Sequence, residues 1–242
     1  MRRPMPRKAC QFHIAGGIGA VMTDFPYRIV VFDLDGTLAD TAPDLTAALN
    51  HSLIQLGRAT IPEDSVRHMV GHGARALLQK GLSATGEMTE ELVEAGFPIF
   101  LDYYGAHICE RSSKFPGLER ALDELSGMGV KLAVCTNKLE WLSRRFLDAI
   151  GWHDRFDALV GGDTVGVRKP DPAPLLETIA RCGGGRAAFV GDSITDTTTG
   201  RNAGIPTVAV SFGFSDRPAT ELGADRLIDH FDELIPALRS LG

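Results

Sequence analysis

Apolar residues follow two different rhythms along this chain. Between Thr41 and about Ser112 they recur at helical spacing. Leu45, Leu49, Leu53 and Leu56 fall on one face of a helix opened by Thr41-Ala42-Pro43-Asp44 and stopped at Gly57. Short helices are predicted over 62–70 and 74–82, and a longer one over 89–110, kinked or broken at Pro98. The strand period of two is absent from this block. Elsewhere short apolar runs at 28–32, 131–135, 158–160, 187–190, 207–210 and 226–228 alternate with helical segments at 118–128, 139–150, 174–182, 195–203 and 231–241. That alternation predicts an α/β protein with a parallel sheet covered on both faces, whose ligands bind beyond the carboxyl ends of the strands. The helical block then becomes an insertion after the first strand.

Composition changes this picture little. With 242 residues the chain can bury a full core, and 44% hydrophobic with 23% charged residues is ordinary for a globular protein. A net charge of −6 argues against nucleic acid as a partner. No apolar stretch approaches the roughly 18 residues of a membrane span. Cys10, Cys109, Cys135 and Cys182 are widely spaced, which fits neither a disulfide framework nor a zinc site and suits a reducing cytoplasm. Residues 1–21 stand apart: four basic residues precede a glycine-diluted apolar patch. They are expected to be a leader, either disordered or a misassigned start, because an initiation at Met22 also yields a complete domain.

The chemistry lies where strands end. Asp33 and Asp35 close the first run, and side chains two apart on extended chain point the same way. The pair also suits a plain Asp-Gly turn, but two carboxylates facing one site repel each other and call for a hard cation such as Mg²⁺. Thr136 and Asn137 follow the next run. Lys169 precedes the helix over 174–182, and Asp192, Ser193 and Asp196 follow the run over 187–190. A hydroxyl, a helix start and a lysine can hold phosphoryl oxygens, Asp192 can ligate a metal, and Asp196, one helical turn on, can brace it. Each signal is weak alone, whereas four successive strand ends carrying compatible chemistry reinforce one another.

Asp33-x-Asp35-Gly36-Thr37, Thr136-Asn137, Lys169-Pro170 and Gly191-Asp192-Ser193-x-x-Asp196 resemble, in order, the four motifs of the haloacid dehalogenase superfamily. The stretch Asp33 to Asp44, Val70-Gly71-His72-Gly73-Ala74-Arg75 and Arg201-Asn202-Ala203-Gly204 are similar to its phosphoglycolate phosphatase branch. The resemblance implies a Rossmann-like doubly wound core over 22–40 and 113–242, with an inserted α-helical cap domain over 41–112. It further implies a phosphatase with Asp33 as nucleophile and Asp35 as acid and base. Mg²⁺ would be held by Asp33, the Asp35 carbonyl and Asp192, and Thr136, Asn137 and Lys169 would clamp the phosphate. Asp196 and Ser193 are supporting residues.

The implied substrate is a small phosphorylated metabolite, 2-phosphoglycolate before the others. A pyrophosphatase, a sugar-phosphate phosphatase, a phosphomutase and a non-catalytic phosphate-binding protein are the alternatives. Lys80, the one cap lysine before Lys114, carries no signature of the imine chemistry a phosphonatase needs. His72 and Arg75 are the cap residues expected to reach the substrate, Arg75 by pairing with a carboxylate. Cap movement implies hinges near 39–42 and 111–116. The β-branched run Thr197-Thr198-Thr199 departs from the small apolar residues usual at that point.

Overall fold

Six of the apolar runs lie side by side in one parallel sheet. The computed structural model describes residues 25–242, so the expectations for 1–21 and for Met22 lie outside the described residues. In chain order the elements are β1 (Ile29–Phe32), β2 (Ala39–Asp40), α1 (Ala42–Gln55), α2 (Glu63–Arg67), α3 (Ala74–Thr85), α4 (Glu90–Ala106) and β3 (Ser113–Lys114). There follow α5 (Leu118–Gly127), β4 (Lys131–Cys135), α6 (Glu140–Ala149), β5 (Ala158–Val160), α7 (Ala173–Arg181) and β6 (Ala187–Gly191). The chain ends with α8 (Ile194–Ala203), β7 (Thr207–Val210), β8 (Arg226–Ile228) and α9 (Leu234–Ser240), the last two separated by a 3₁₀ turn at Phe231–Glu233.

The sheet order is β5-β4-β1-β6-β7-β8. From β1 the chain steps outward through β4 and β5, then crosses back to β6 and steps outward the other way. The order therefore reverses between β1 and β6, and at such a switch point a crevice opens beyond the carboxyl ends of the strands. Phe32 is level with Val134 of β4 and Val190 of β6, so these three central strands release their loops at one height.

Period-two alternation divides β1 between the two faces. Val30 and Phe32 pack into a core shared with α5, α9 and the helical block, while Ile29 and Val31 face Leu175 and Ile179 of α7 together with Phe189. All four residues are buried, each worth about 1.5–3 kcal/mol relative to exposure. The first of these clusters is continuous: it runs from Val30 and Phe32 through Leu45 and Leu49 of α1 to Val93 and Phe100 of α4.

Two helical expectations differ in detail and a third holds. α4 ends at Ala106 and runs through Pro98 without a break, its start capped by the Thr89 hydroxyl accepting from Leu92 N–H. The segment over 231–241 divides into a 3₁₀ turn and α9. The threonine run does lie in a helix, α8, and there the Thr197 hydroxyl donates to Leu222 O at 2.5 Å and that of Thr199 to Thr195 O at 2.7 Å, which satisfies buried polar groups.

The two chain crossings into the helical block are joined. β2 and β3 pair antiparallel, Ala39 with Lys114 and Asp40 with Ser113. Asp44, buried in the first turn of α1, accepts from the backbone N–H groups of Arg111 and Ser112 and from the Ser112 hydroxyl at 2.6 Å. Among the described residues no helix is long and apolar enough to cross a membrane, and Cys109, Cys135 and Cys182 are free thiols.

Candidate active site

β1 ends at the switch point and delivers Asp33, whose backbone N–H donates to Val190 O of β6 at 2.9 Å. The chain then turns at Gly36, where φ is +86°, a conformation that costs glycine little. On the neighbouring loop, after β6, Gly191 leads into Asp192, and Ser193 begins α8 with a capping box. The Ser193 hydroxyl caps Asp196 N–H, and the Asp196 carboxylate accepts from Ser193 N–H. A local helix-start rule thus holds Asp196 beside Asp192.

Carboxylate oxygens of Asp33, Asp192 and Asp196 lie within 4.8 Å of one another, all three residues buried. One ammonium stands among them. Lys169 Nζ donates to Asp196 Oδ1 at 2.6 Å and lies 2.9 Å from Asp33 Oδ1. The latter contact is an ion pair outside hydrogen-bond alignment, so Asp33 Oδ1 is a buried oxygen with no hydrogen-bond partner.

Burial pushes the Asp33 carboxyl up to about 6; Lys169 pulls it down, and the Asp196 and Asp35 charges add to the rise. Burial likewise raises Asp192 well above the carboxylate range, helped by Asp196 and Asp33 and opposed by the Phe214 N–H and the Thr37 hydroxyl. Burial works against the Lys169 charge, but Asp196 and Asp33 outweigh it and hold the ammonium above its ordinary value. Three buried carboxylates and one lysine leave an excess of negative charge that a bound cation would relieve.

The donor set fits a hard divalent ion. Both Asp196 oxygens are engaged, Oδ1 by Lys169 and Oδ2 by the Ser193 hydroxyl at 2.6 Å, which leaves Asp33 and Asp192 as the better ligands. Asp192 is held by Thr37 Oγ1 at 3.1 Å and Phe214 N–H at 2.7 Å. Its surroundings are cut close: a Cβ on Gly36 would lie 2.3 Å from Asp192 Oδ2, and one on Gly213 only 2.2 Å from Asp192 Cβ.

Asp35 takes a separate position. Its carboxylate is outside the three-acid cluster, and its Oδ1 accepts from the Thr41 hydroxyl at 2.7 Å and from Lys138 Nζ at 2.8 Å. Asp33 and Asp35 still border the same pocket, together with Thr136, Asn137 and Lys138 after β4 and Leu45, Val70, Gly71, Gly73, Ala74, Leu77 and Tyr104 from the helical block.

The Asn137 amide is fully used, donating to Gly71 O and Lys169 O and accepting from Lys169 N–H. It ties three loops together, and both of its amide hydrogens are engaged. Arg75 stands away from its expected place. It pairs with Glu90 and Glu94 of α4 and lies over Phe97, outside the pocket lining. His72 sits exposed beside Gly71 and Gly73, which do border the pocket. Lys138 was not among the expected residues. The one sequence signal for it is its place directly after Thr136-Asn137.

Comparison with known proteins agrees with this geometry. Residues 30–210 match the family model of the haloacid dehalogenase-like hydrolases. The chain is 46% identical over 215 residues to a phosphoglycolate phosphatase of Caulobacter vibrioides, covering 88% of this chain and 91% of that protein. It is 41% identical over 221 residues to one of Agrobacterium fabrum, covering 90% and 95%. A crystal structure of a predicted phosphoglycolate phosphatase from Haemophilus somnus 129PT superimposes with a TM-score of 0.83 at 29% identity, covering 88% of this chain and 99% of that one. A motif series in order, a reversed parallel sheet and a family match across most of the chain lead to one conclusion: this protein belongs to the haloacid dehalogenase-like hydrolases.

Proposed function

We propose that the protein is a Mg²⁺-dependent phosphatase that hydrolyses a small phosphate monoester, 2-phosphoglycolate, to glycolate and phosphate. The observation that carries this reading is the buried Asp33–Asp192–Asp196 cluster with one lysine, set beside a second carboxylate, Asp35, on the same loop. The relatives from Caulobacter and Agrobacterium support the choice of ester.

In this reading Asp33 attacks phosphorus in line, forming an acyl phosphate and expelling the alcohol oxygen. Asp35 gives that oxygen its proton, then takes one from the water that cleaves the acyl phosphate. Dividing a very slow hydrolysis into two steps spreads its barrier over several groups. Lys169, the Thr136 hydroxyl and the backbone N–H of Asn137 hold the phosphoryl oxygens, while the Asn137 amide fixes the loop that carries Lys169. Ser193 and Asp196 brace that lysine and Asp192. Asp33, the Asp35 carbonyl and Asp192 would hold Mg²⁺, which would supply positive charge against the negative charge that develops on the phosphoryl oxygens. Residues 41–112 serve as a cap that closes water out of the pocket, and the protein works in the cytoplasm on a soluble metabolite.

The test is kcat/KM with and without Mg²⁺ for 2-phosphoglycolate beside pyrophosphate, a sugar phosphate, a nucleoside monophosphate and phosphonoacetaldehyde. A metal-dependent preference of about 100-fold for 2-phosphoglycolate is expected. A flat profile would move the assignment to another phosphatase branch, and absence of turnover on all five would end the enzymatic reading.

A further inference from the structure

Lys138 is the one cation among the described residues that line the pocket. Its side chain is 4% exposed. Burying an ammonium is costly unless anions and hydrogen-bond acceptors surround it. Here it has one carboxylate oxygen, Asp35 Oδ1 at 2.8 Å, and one neutral acceptor, the Tyr104 hydroxyl at 2.6 Å. Tyr104 stays a phenol, because burial and the Asp35 and Asp44 charges raise it well above its ordinary value. An ammonium has three N–H groups, and two hydrogen bonds account for two. The Tyr104 and Phe146 rings, with centroids 4.6 and 5.6 Å away, further shield it from water.

The rest of the pocket offers an anion nothing comparable. Lys169 stands at the phosphoryl end, beside Asp33 and Asp196, and is not part of the pocket lining. The wall beyond Lys138 is apolar, made by Leu45, Val70, Ala74, Leu77 and Leu142. The cavity measures about 30 Å³, room for roughly two water-sized centres. So small a cavity beside Asp33 disfavours a long organic half.

We propose that Lys138 is the specificity-determining residue of this pocket and that its third N–H receives the carboxylate on the organic half of a short-chain phosphate ester. This rests on the phosphatase reading above and adds to it the group that reads the substrate. Because Lys138 directly follows Thr136-Asn137, one loop after β4 would hold both ends of the substrate. Binding also spans the seam to the helical block, since the same ammonium holds Tyr104 of α4.

The experiment compares two esters of equal length, 2-phosphoglycolate and 2-hydroxyethyl phosphate, which differ in one carboxylate. The readout is the ratio of their kcat/KM values in the wild type, Lys138→Met, Lys138→Gln and Lys138→Arg, each checked for folding by circular dichroism. The wild type is expected to favour 2-phosphoglycolate. Lys138→Met and Lys138→Gln are expected to cut that ratio by roughly 10- to 100-fold, the range of a lost charge-assisted hydrogen bond, mainly through KM, and Lys138→Arg is expected to keep most of it. Two neutral variants keep the test alive if one fails to fold. A ratio that survives in either folded neutral variant, or equal losses on both esters, overturns the assignment alone and makes Lys138 a prop for Asp35. A wild type without preference overturns the substrate reading together with it.

Discussion

At the scale of single residues, the negative charge gathered around Asp192 makes metal binding a stability effect as well as a catalytic one. Asp192 and Asp33 are buried beside Asp196 with one lysine between them. Saturating Mg²⁺ is therefore expected to raise the melting temperature of the wild type. At 100 times its dissociation constant the gain is about 2.7 kcal/mol. Asp192→Asn is expected to lose most of that gain, and an unchanged Mg²⁺ shift in calorimetry would remove Asp192 from the ligand set. Lys169→Met, which leaves Asp33 and Asp196 without their cation, is expected to cost about 3–5 kcal/mol in urea unfolding without metal. Asp33→Asn is expected to lower turnover of 2-phosphoglycolate by at least about 10³-fold while folding normally; activity within tenfold of wild type would exclude the acyl phosphate. Arg75→Ala, now that Arg75 is seen to pair with Glu90 and Glu94, is expected to change kcat/KM by less than about threefold on carboxylated and uncarboxylated esters alike.

At the scale of elements, each functional group stands where a secondary-structure rule ends. β1, β4 and β6 finish level with one another, so Asp33, Thr136 and Asp192 emerge at one edge. The capping box of α8 then fixes Asp196. These positions were readable because strand ends and helix starts are local features. The β2–β3 pairing and the Asp44 carboxylate beneath it were not, since Asp44 reads in sequence as an acidic residue in a first helical turn. In the fold it binds both N–H groups of a segment 67 and 68 residues away. Asp44→Ala is expected to destabilise the protein by about 1–3 kcal/mol, leaving buried donors unmet. Hydrogen exchange checks this directly: the Arg111 and Ser112 amides should lose protection first, and unchanged protection there would argue that the ribbon holds without Asp44.

At the scale of the whole molecule, one apolar cluster runs from the sheet through α1 into α4, and Lys138 joins the loop after β4 to Tyr104 of the helical block. Sheet and block are expected to unfold in a single calorimetric transition, with van't Hoff and calorimetric enthalpies in agreement; two resolved transitions would show that the seam does not couple them. By itself the sequence determined the alternation of strands and helices, the helical character of the block after β1 and the acids, hydroxyl and lysine that follow the strands, because hydrophobic period and strand-end placement are properties of neighbours in the chain. Tertiary structure alone decided which groups share a charge. It bound Lys138 to an Asp35 103 positions away, spent the Asn137 amide on three loops, and drew Arg75 to the acids of α4. The first two outcomes follow from burial, which obliges every polar group to find a partner wherever the fold brings one within reach, and the third is a surface ion pair between neighbouring helices.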